Sequence, residues 1–310
     1  MKIFRNLDDV KHEANCVLTT GTFDGVHLGH QSIIRMLHEE AGQRGGCVTI
    51  VTFEPHPQFV VNAAIKDGLR LLTTIDEKIE ILQRFQIDRL IVIPFDMNFA
   101  QLSSQQFIEQ ILVKRIGFRT IVIGYDHAFG KDRQGNFEVL EQLSQRYDYK
   151  IIVCPPFALD GVVISSTKIR RLLAGGAVEQ AARYLGRNYQ LIGTVVPGEG
   201  RGRTLNIPTA NLSPISEQKL IPQSGIYAVW ASINSERYPG VLYIGTKPTF
   251  AYQHQTIELH ILDFSGNLYG NNITLEFISR IRDDHQFDTV TELVARIEQD
   301  KAMARAILGC

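Results

Sequence analysis

Gly21-Thr22-Phe23-Asp24-Gly25-Val26-His27-Leu28-Gly29-His30 is preceded by Val17-Leu18-Thr19-Thr20 and followed by Ile33, Ile34, Met36 and Leu37. The first flank is short, apolar and β-branched, which reads as a buried strand; the second repeats at helical spacing. The decamer is therefore a strand-to-helix turn. A helix N-terminus offers free N–H groups and partial positive charge, and together these favour phosphate. Gly29 lets a ligand approach the backbone closely. His27 and His30 add donors that can meet negative charge developing on that phosphate. A lone histidine at a strand end is ordinarily structural. Two of them bracketing Leu-Gly at such a junction favour a ligand site.

Outward from this turn, strand and helix signals alternate to about residue 185. Residues 48–53, 90–93, 120–123 and 151–153 read as strands. Thr74 with Glu77 and Ser103 with Gln106 form capping boxes that open helices toward Phe85 and Arg115, and Asn136 caps a helix through Tyr147. This order implies an α/β fold, a doubly wound parallel sheet. Ligands then gather at the carboxyl ends of its strands. Polar turns lie there: Phe53, Pro55, His56 and Pro57 after one strand, Asp96 and Asn98 after the next, and Asp126, His127, Phe129 and Arg133 after the third. Ser165-Ser166-Thr167 starts a further helix, first of all as a cap. Ile169, Leu172 and Leu173 set its buried face, so Lys168, Arg170 and Arg171 are left to reach a triphosphate. No G-x-G-x-x-G follows the first strand and no G-x-x-x-x-G-K-[ST] occurs, which disfavours a dinucleotide-binding oxidoreductase and a P-loop kinase.

After Gly186 the texture changes. Residues 189–196, 225–232, 241–245, 256–261 and 273–278 are strand-like and separated by turn signals, as in a small antiparallel barrel. One helix over 290–308, with Leu293, Ile297 and Ala304 as its stripe, closes the sequence. A chain of 310 residues fits two domains at about 150 each. The expected boundary gives domains 1–186 and 187–310.

A net charge of −1 argues against nucleic acid or an anionic membrane as partner. No apolar run approaches the roughly 18 residues of a spanning helix. Acidic residues in the first nine positions do not suit a signal peptide, so a cytoplasmic location is expected. Cys16, Cys47, Cys154 and Cys310 are scattered and form no Cys-x-x-Cys. Neither zinc nor a disulfide framework is expected, and the first three read as buried small hydrophobes.

The second half contains Gly198-Glu-Gly200-Arg-Gly202-Arg203, then Asn206-Ile-Pro208-Thr209-Ala-Asn211, Tyr243-Ile-Gly245, Glu258-Leu-His260, Leu268-Tyr269-Gly270 and Arg282 through Phe287. In that order they resemble the riboflavin kinase domain with its Pro-Thr-Ala-Asn segment. Asn206-Ile207 stands where that family often has Gly-Phe, and Asn tolerates the left-handed region well. His27-Leu-Gly-His30 resembles the His-x-Gly-His signature of nucleotidylyltransferases. Thr52 through Pro57, Gly124 through Gly130 (with Ala128 where a larger residue is common) and Ser165 through Arg170 resemble the FMN adenylyltransferase module. The whole chain therefore resembles the bacterial bifunctional riboflavin kinase/FAD synthetase family.

The resemblance implies phosphorylation of riboflavin to FMN, then adenylylation of FMN to FAD, with ATP as co-substrate, ADP and pyrophosphate as products, and Mg²⁺ as cofactor. It leaves self-association open. For adenylylation it implies ATP contacts from Gly21, Thr22, Phe23, Asp24, His27, Gly29, His30, Ser165, Ser166, Thr167 and Arg170. Flavin contacts would come from Phe53, Pro55, His56, Pro57, Asn98, Asp126, Phe129 and Arg133. For the kinase it implies ATP contacts from Gly198, Gly200, Gly202, Arg203, Pro208, Thr209 and Asn211. Thr209 and Asn211 supply the hard oxygens that Mg²⁺ prefers. Riboflavin would meet Glu258, Leu268, Tyr269, Arg282 and Phe287. Glu258 alternates with Ile257, Leu259 and Ile261, so its carboxylate projects opposite them and can take the proton of the riboflavin 5′-hydroxyl. His27 and His30 would serve the adenylyl transfer, which needs no protein nucleophile. Two rivals stand: an adenylyl-type transferase for another phosphate ester with an unrelated barrel, and a flavin sensor without turnover.

Overall fold

A computed structural model describes residues 1–62, 68–125, 137–198, 207–248 and 253–310. The chain divides into two compact units, Met1–Ser166 and Thr167–Cys310.

The first unit runs β1 (Lys2–Phe4), β2 (Cys16–Thr20), α1 (Leu28–Arg44), β3 (Cys47–Glu54), α2 (Pro57–Val61), α3 (Ile75–Gln83), β4 (Arg89–Pro94), α4 (Met97–Ala100), α5 (Ser104–Gln106), β5 (Thr120–Gly124), α6 (Phe137–Tyr147), β6 (Lys150–Cys154), and the short pair β7 (Ala158–Leu159) and β8 (Val162–Val163). Six strands form a parallel sheet in the order β1-β4-β3-β2-β5-β6. Successive strand residues are buried on opposite faces. Val17, Ile50 and Leu90 meet Ile34 and Leu37 of α1 and Leu82 of α3. Leu18, Val51 and Ile91 meet Ile108, Leu112 and Leu140 on the other side. Burial on both faces is what makes these strands continuous apolar runs, and it confirms the doubly wound sheet. The chain winds outward from β2 to β4 and then restarts at β5 on β2's other side. The turn after β2 is therefore at the topological switch point, where such sheets bind ligands.

Both capping boxes form as expected, at Thr74/Glu77 and Ser103/Gln106. The helix after Ser103 widens into π geometry over Phe107–Ile116, and Gly117 N donates to Leu112 O, five residues back. The Asn136 cap lies outside the described residues. The expectation for the cysteines needs correction: Cys16 and Cys47 are joined as a disulfide. They are 31 apart in sequence, but the parallel register sets them directly opposite on β2 and β3, with Cα atoms 4.5 Å apart. Cys154 is buried as a free thiol, as read.

The second unit contains α7 (Ser166–Ala174), α8 (Val178–Leu185), β9 (Tyr189–Val196), β10 (Ala210–Pro214), β11 (Gly225–Ile233), β12 (Glu236–Pro248), β13 (Gln253–Ile261), β14 (Asn272–Arg282) and α9 (Val290–Leu308). The six strands close into an antiparallel barrel in the order β10-β13-β12-β11-β14-β9. Leu191, Leu212, Tyr227, Leu242, Ile257, Leu259 and Phe277 are buried. Ala304 of α9 packs on the barrel with Ile226, Ala228 and Val241. Strand β10, not expected from the sequence, completes the barrel.

Candidate active sites

In the first unit, β2 leaves the sheet through Phe23 (φ 49°), Gly25 (φ 83°) and Val26 (φ 40°). Left-handed backbone at non-glycine residues costs about 1–3 kcal/mol each. The surroundings hold it in place. Phe23 and Val26 are buried. The Asp24 carboxylate, 2% exposed, accepts from Leu72 N at 3.0 Å, Thr73 N at 3.0 Å and Thr73 Oγ1 at 3.3 Å. Gly25 N donates to Thr73 Oγ1, and Ser166 Oγ to the Asp24 carbonyl. Asp24 thus clamps the turn to the segment before α3.

The turn delivers His27 to the N-cap of α1, where its Nδ1 accepts from His30 N at 3.4 Å. An accepting Nδ1 leaves the proton of the neutral ring on Nε2, as a donor. The His27 and His30 rings stack with centroids 3.7 Å apart, and Phe23 flanks His30 at 4.9 Å. Gly29 faces the His27 ring, which a Cβ would meet at 3.1 Å. The expected pair of imidazoles at a helix N-terminus is therefore present.

Sequence reasoning missed Lys78. It is 4% exposed and donates to Thr52 Oγ1 at 3.4 Å, which donates in turn to the Thr22 carbonyl. Burial pushes its amine down, opposed by the charges of Asp24 and Glu54. Burial likewise pushes the Glu54 carboxyl up, opposed by Lys78 and Arg5. Lys78 shares the helical stripe of Ile75, Ile79 and Leu82, and a lysine on such a stripe was the available signal.

The flavin candidates are placed as follows. Phe53 packs in a ring cluster with Phe95, Phe99 and Phe107. Pro55 follows a cis peptide bond. His56 caps α2, which Pro57 begins, and its Nδ1 accepts from Gln58 N at 3.3 Å. Asn98 is exposed on α4. Asp126, Phe129 and Arg133 lie outside the described residues. In the second unit, α7 buries Ile169 and Leu173, leaving Thr167 exposed and Arg170 half-buried.

On the barrel, Asn211 of β10 pairs with Glu258 of β13, and Glu258 pairs with Tyr243 of β12. Their neighbours Leu212, Leu259 and Leu242 are buried, so this row projects from the opposite, outer face. Thr209 Oγ1 donates to Glu258 Oε2 at 3.3 Å. A His260 ring nitrogen, Nδ1, lies 2.9 Å from the Pro208 carbonyl. A Cβ on Gly198 would coincide with the Asn211 amide, so this backbone lies directly against Asn211. Gly198, Thr209, Asn211 and Glu258 are thereby brought together. Gly200, Gly202 and Arg203 lie outside the described residues.

Arg282 makes a bidentate pair with Asp300 of α9, from Nε at 2.9 Å and from Nη2 at 2.7 Å. Its guanidinium stands 5.7 Å from the Phe287 ring centre. With His285 and Arg296 these two line a cavity of about 300 Å³. Leu268 and Tyr269 sit in the β13–β14 turn, where Asn271 N donates to Leu268 O and Gly270 N to Val195 O. Among the described residues no group of three or more His, Cys, Asp or Glu is placed to hold a metal. Two neutral oxygen donors still suit Mg²⁺, which keeps waters and takes substrate phosphates as ligands.

A parallel sheet carrying two imidazoles at its switch point, together with a barrel carrying a carboxylate, a threonine and an asparagine, marks a two-centre ATP-dependent transferase. The comparisons narrow this. The family described as FAD synthetase matches residues 9–168, and that described as riboflavin kinase matches 185–308. The whole chain is 36% identical to the bifunctional riboflavin kinase/FMN adenylyltransferase of Escherichia coli K12, covering 98% of it. It is also 36% identical to that of Haemophilus influenzae, covering all of it. A crystal structure described as a macrolide-efflux protein from Streptococcus pneumoniae superposes with a TM-score of 0.89 at 30% identity, covering 98% of both chains. Among the described residues no helix is long and apolar enough to cross a membrane. The chain belongs to the family of bifunctional riboflavin kinase/FMN adenylyltransferases. It phosphorylates riboflavin to FMN and adenylylates FMN to FAD. The barrel is thus no unrelated appendage.

Proposed function

We propose that each reaction runs at the site described for it, in the cytoplasm and on small molecules alone. In the first unit an FMN phosphate oxygen attacks the α-phosphorus of ATP and pyrophosphate leaves. The N–H groups that open α1 and the imidazoles of His27 and His30 meet the charge that develops, while the Asp24 clamp keeps them aimed. In the barrel the riboflavin 5′-hydroxyl attacks the γ-phosphorus, its proton passes to Glu258, and ADP leaves. Thr209 Oγ1 and Asn211 Oδ1 would hold Mg²⁺, whose charge there neutralises the ATP phosphates. The convergence of Thr209 and Asn211 on Glu258 carries the reading. Incubation with riboflavin, ATP and Mg²⁺, with flavins separated over time, should give FMN and then FAD. Accumulating riboflavin complex without FMN would support the sensor instead.

Gly198→Ala tests the barrel site at its tightest contact. The new methyl group displaces Asn211. The Asn211 amide is the far end of a side chain and can give way, so the fold should hold; moving it by about 1 Å should slow riboflavin phosphorylation by about tenfold to a hundredfold while FMN is still converted to FAD. A parental kinase rate would separate Asn211 from the reaction.

The boundary between functional halves is also testable. The compact division falls after Ser166, the first residue of α7, whereas the sequence reading puts it at 186/187. Gln223 N donates to the Leu173 carbonyl, and Ser279 Oγ and Arg280 N donate to Glu179 of α8. A fragment from Thr167 should fold and make FMN but no FAD. One from Arg187 leaves those groups unpaired, at about 1–3 kcal/mol per buried group. Its melting temperature should be lower; equal melting would return the boundary to 186/187.

A further inference from the structure

We propose that Tyr243 is a positioning residue of the kinase: by holding Asp284 it fixes the 282–287 segment, and with it the flavin ring, beside Glu258. The proposal rests on the reading above that Glu258 is the base and that the cavity at Arg282 and Phe287 receives riboflavin. Tyr243 stands opposite Glu258 in the antiparallel register, on the same outer face. Its phenol lies forward along its own strand over Gly245, where a Cβ would coincide with the hydroxyl. The missing side chain at 245 thus creates the space that the ring occupies. From there Oη donates to Asp284 Oδ2 at 3.0 Å.

The rest of that segment is tied elsewhere. Arg282 is held by Asp300 and Asp283 by Arg280 at 2.8 Å. Asp284 is fastened by Tyr243, and the next residue, His285, meets Phe287 edge-on at 5.3 Å at the cavity wall. Burial and the neighbouring Asp284 and Glu258 carboxylates push the phenol up to about 12, so it remains a donor at neutral pH. The strand paired with that of the base is thereby linked to the wall of the cavity through one hydrogen bond. A planar, electron-poor ring seated between Phe287 and this segment would lose its register with Glu258 if the bond were absent.

The test uses the full chain, with steady-state phosphorylation and quenching of riboflavin fluorescence on binding. Tyr243→Phe keeps the ring and removes the donor. Riboflavin KM and Kd should rise about tenfold, with kcat, ATP KM and FAD formation from FMN within about twofold of the parent. Gly245→Ala, which evicts the ring, should reproduce that rise. Asp284→Ala should match Tyr243→Phe, Asp284→Asn, which keeps an acceptor, should recover most of the affinity, and the double variant Tyr243→Phe/Asp284→Ala should be no worse than either single one. Unchanged riboflavin KM, additive losses, or a kcat loss accompanied by a lowered melting temperature would overturn the proposal. Glu258→Gln run in parallel separates the two readings: its kcat reports on the base, and the Tyr243→Phe KM reports on the tether.

Discussion

Glu258→Gln should slow riboflavin phosphorylation by about a hundred- to ten-thousandfold, the usual contribution of a general base. The substitution preserves shape and one acceptor oxygen, so the Thr209 hydroxyl keeps its partner and the alternation of β13 is undisturbed. Riboflavin binding should change little, and FAD should form from supplied FMN at the parental rate. A loss confined within about tenfold would mean that the hydroxyl sheds its proton late, after a loose transition state. Equal loss of both activities would make Glu258 a structural residue.

His30→Ala should slow FAD formation by roughly a hundred- to a thousandfold, the cost of removing one transition-state donor. His27→Ala should do the same and, because its Nδ1 caps α1, should also lower stability by about 1 kcal/mol. Both proteins should phosphorylate riboflavin normally. A His30→Ala protein that melts as the parent does and still makes FAD at the parental rate would falsify the assignment.

What could be read from sequence was what local chemistry enforces. The turn at 21–30 was legible because a buried strand and an amphipathic helix abut it, and both capping boxes were legible because their partners lie three residues apart. Strand β10 was not, since Ala-Asn-Leu-Ser-Pro is short, holds no β-branched or aromatic residue and ends in proline; closure of the barrel, not propensity, makes it a strand. Strand β1, three residues at the sheet edge, carries no period at all. The disulfide and the Asp24 clamp on residues 72–73 depend on register between distant segments, which composition does not encode. The same limit applies in the kinase site. Alternation puts Glu258 on the outer face, yet nothing local announces that Tyr243 will reach a residue 41 positions away.

The pairing of Arg282 with Asp300 has a temporal side. Every barrel strand leaves the ribosome before the helix that carries Asp300. Until that helix docks, Arg282 lacks the carboxylate that holds its guanidinium in the finished barrel. The cavity at Arg282 and Phe287 is likewise completed only when that helix brings Arg296 to its wall. The parallel sheet, whose strands are all translated before residue 167, faces no such wait, and domains generally fold in that N-terminal-first order. In a newborn chain the sheet of the first unit would then be complete before the barrel of the second.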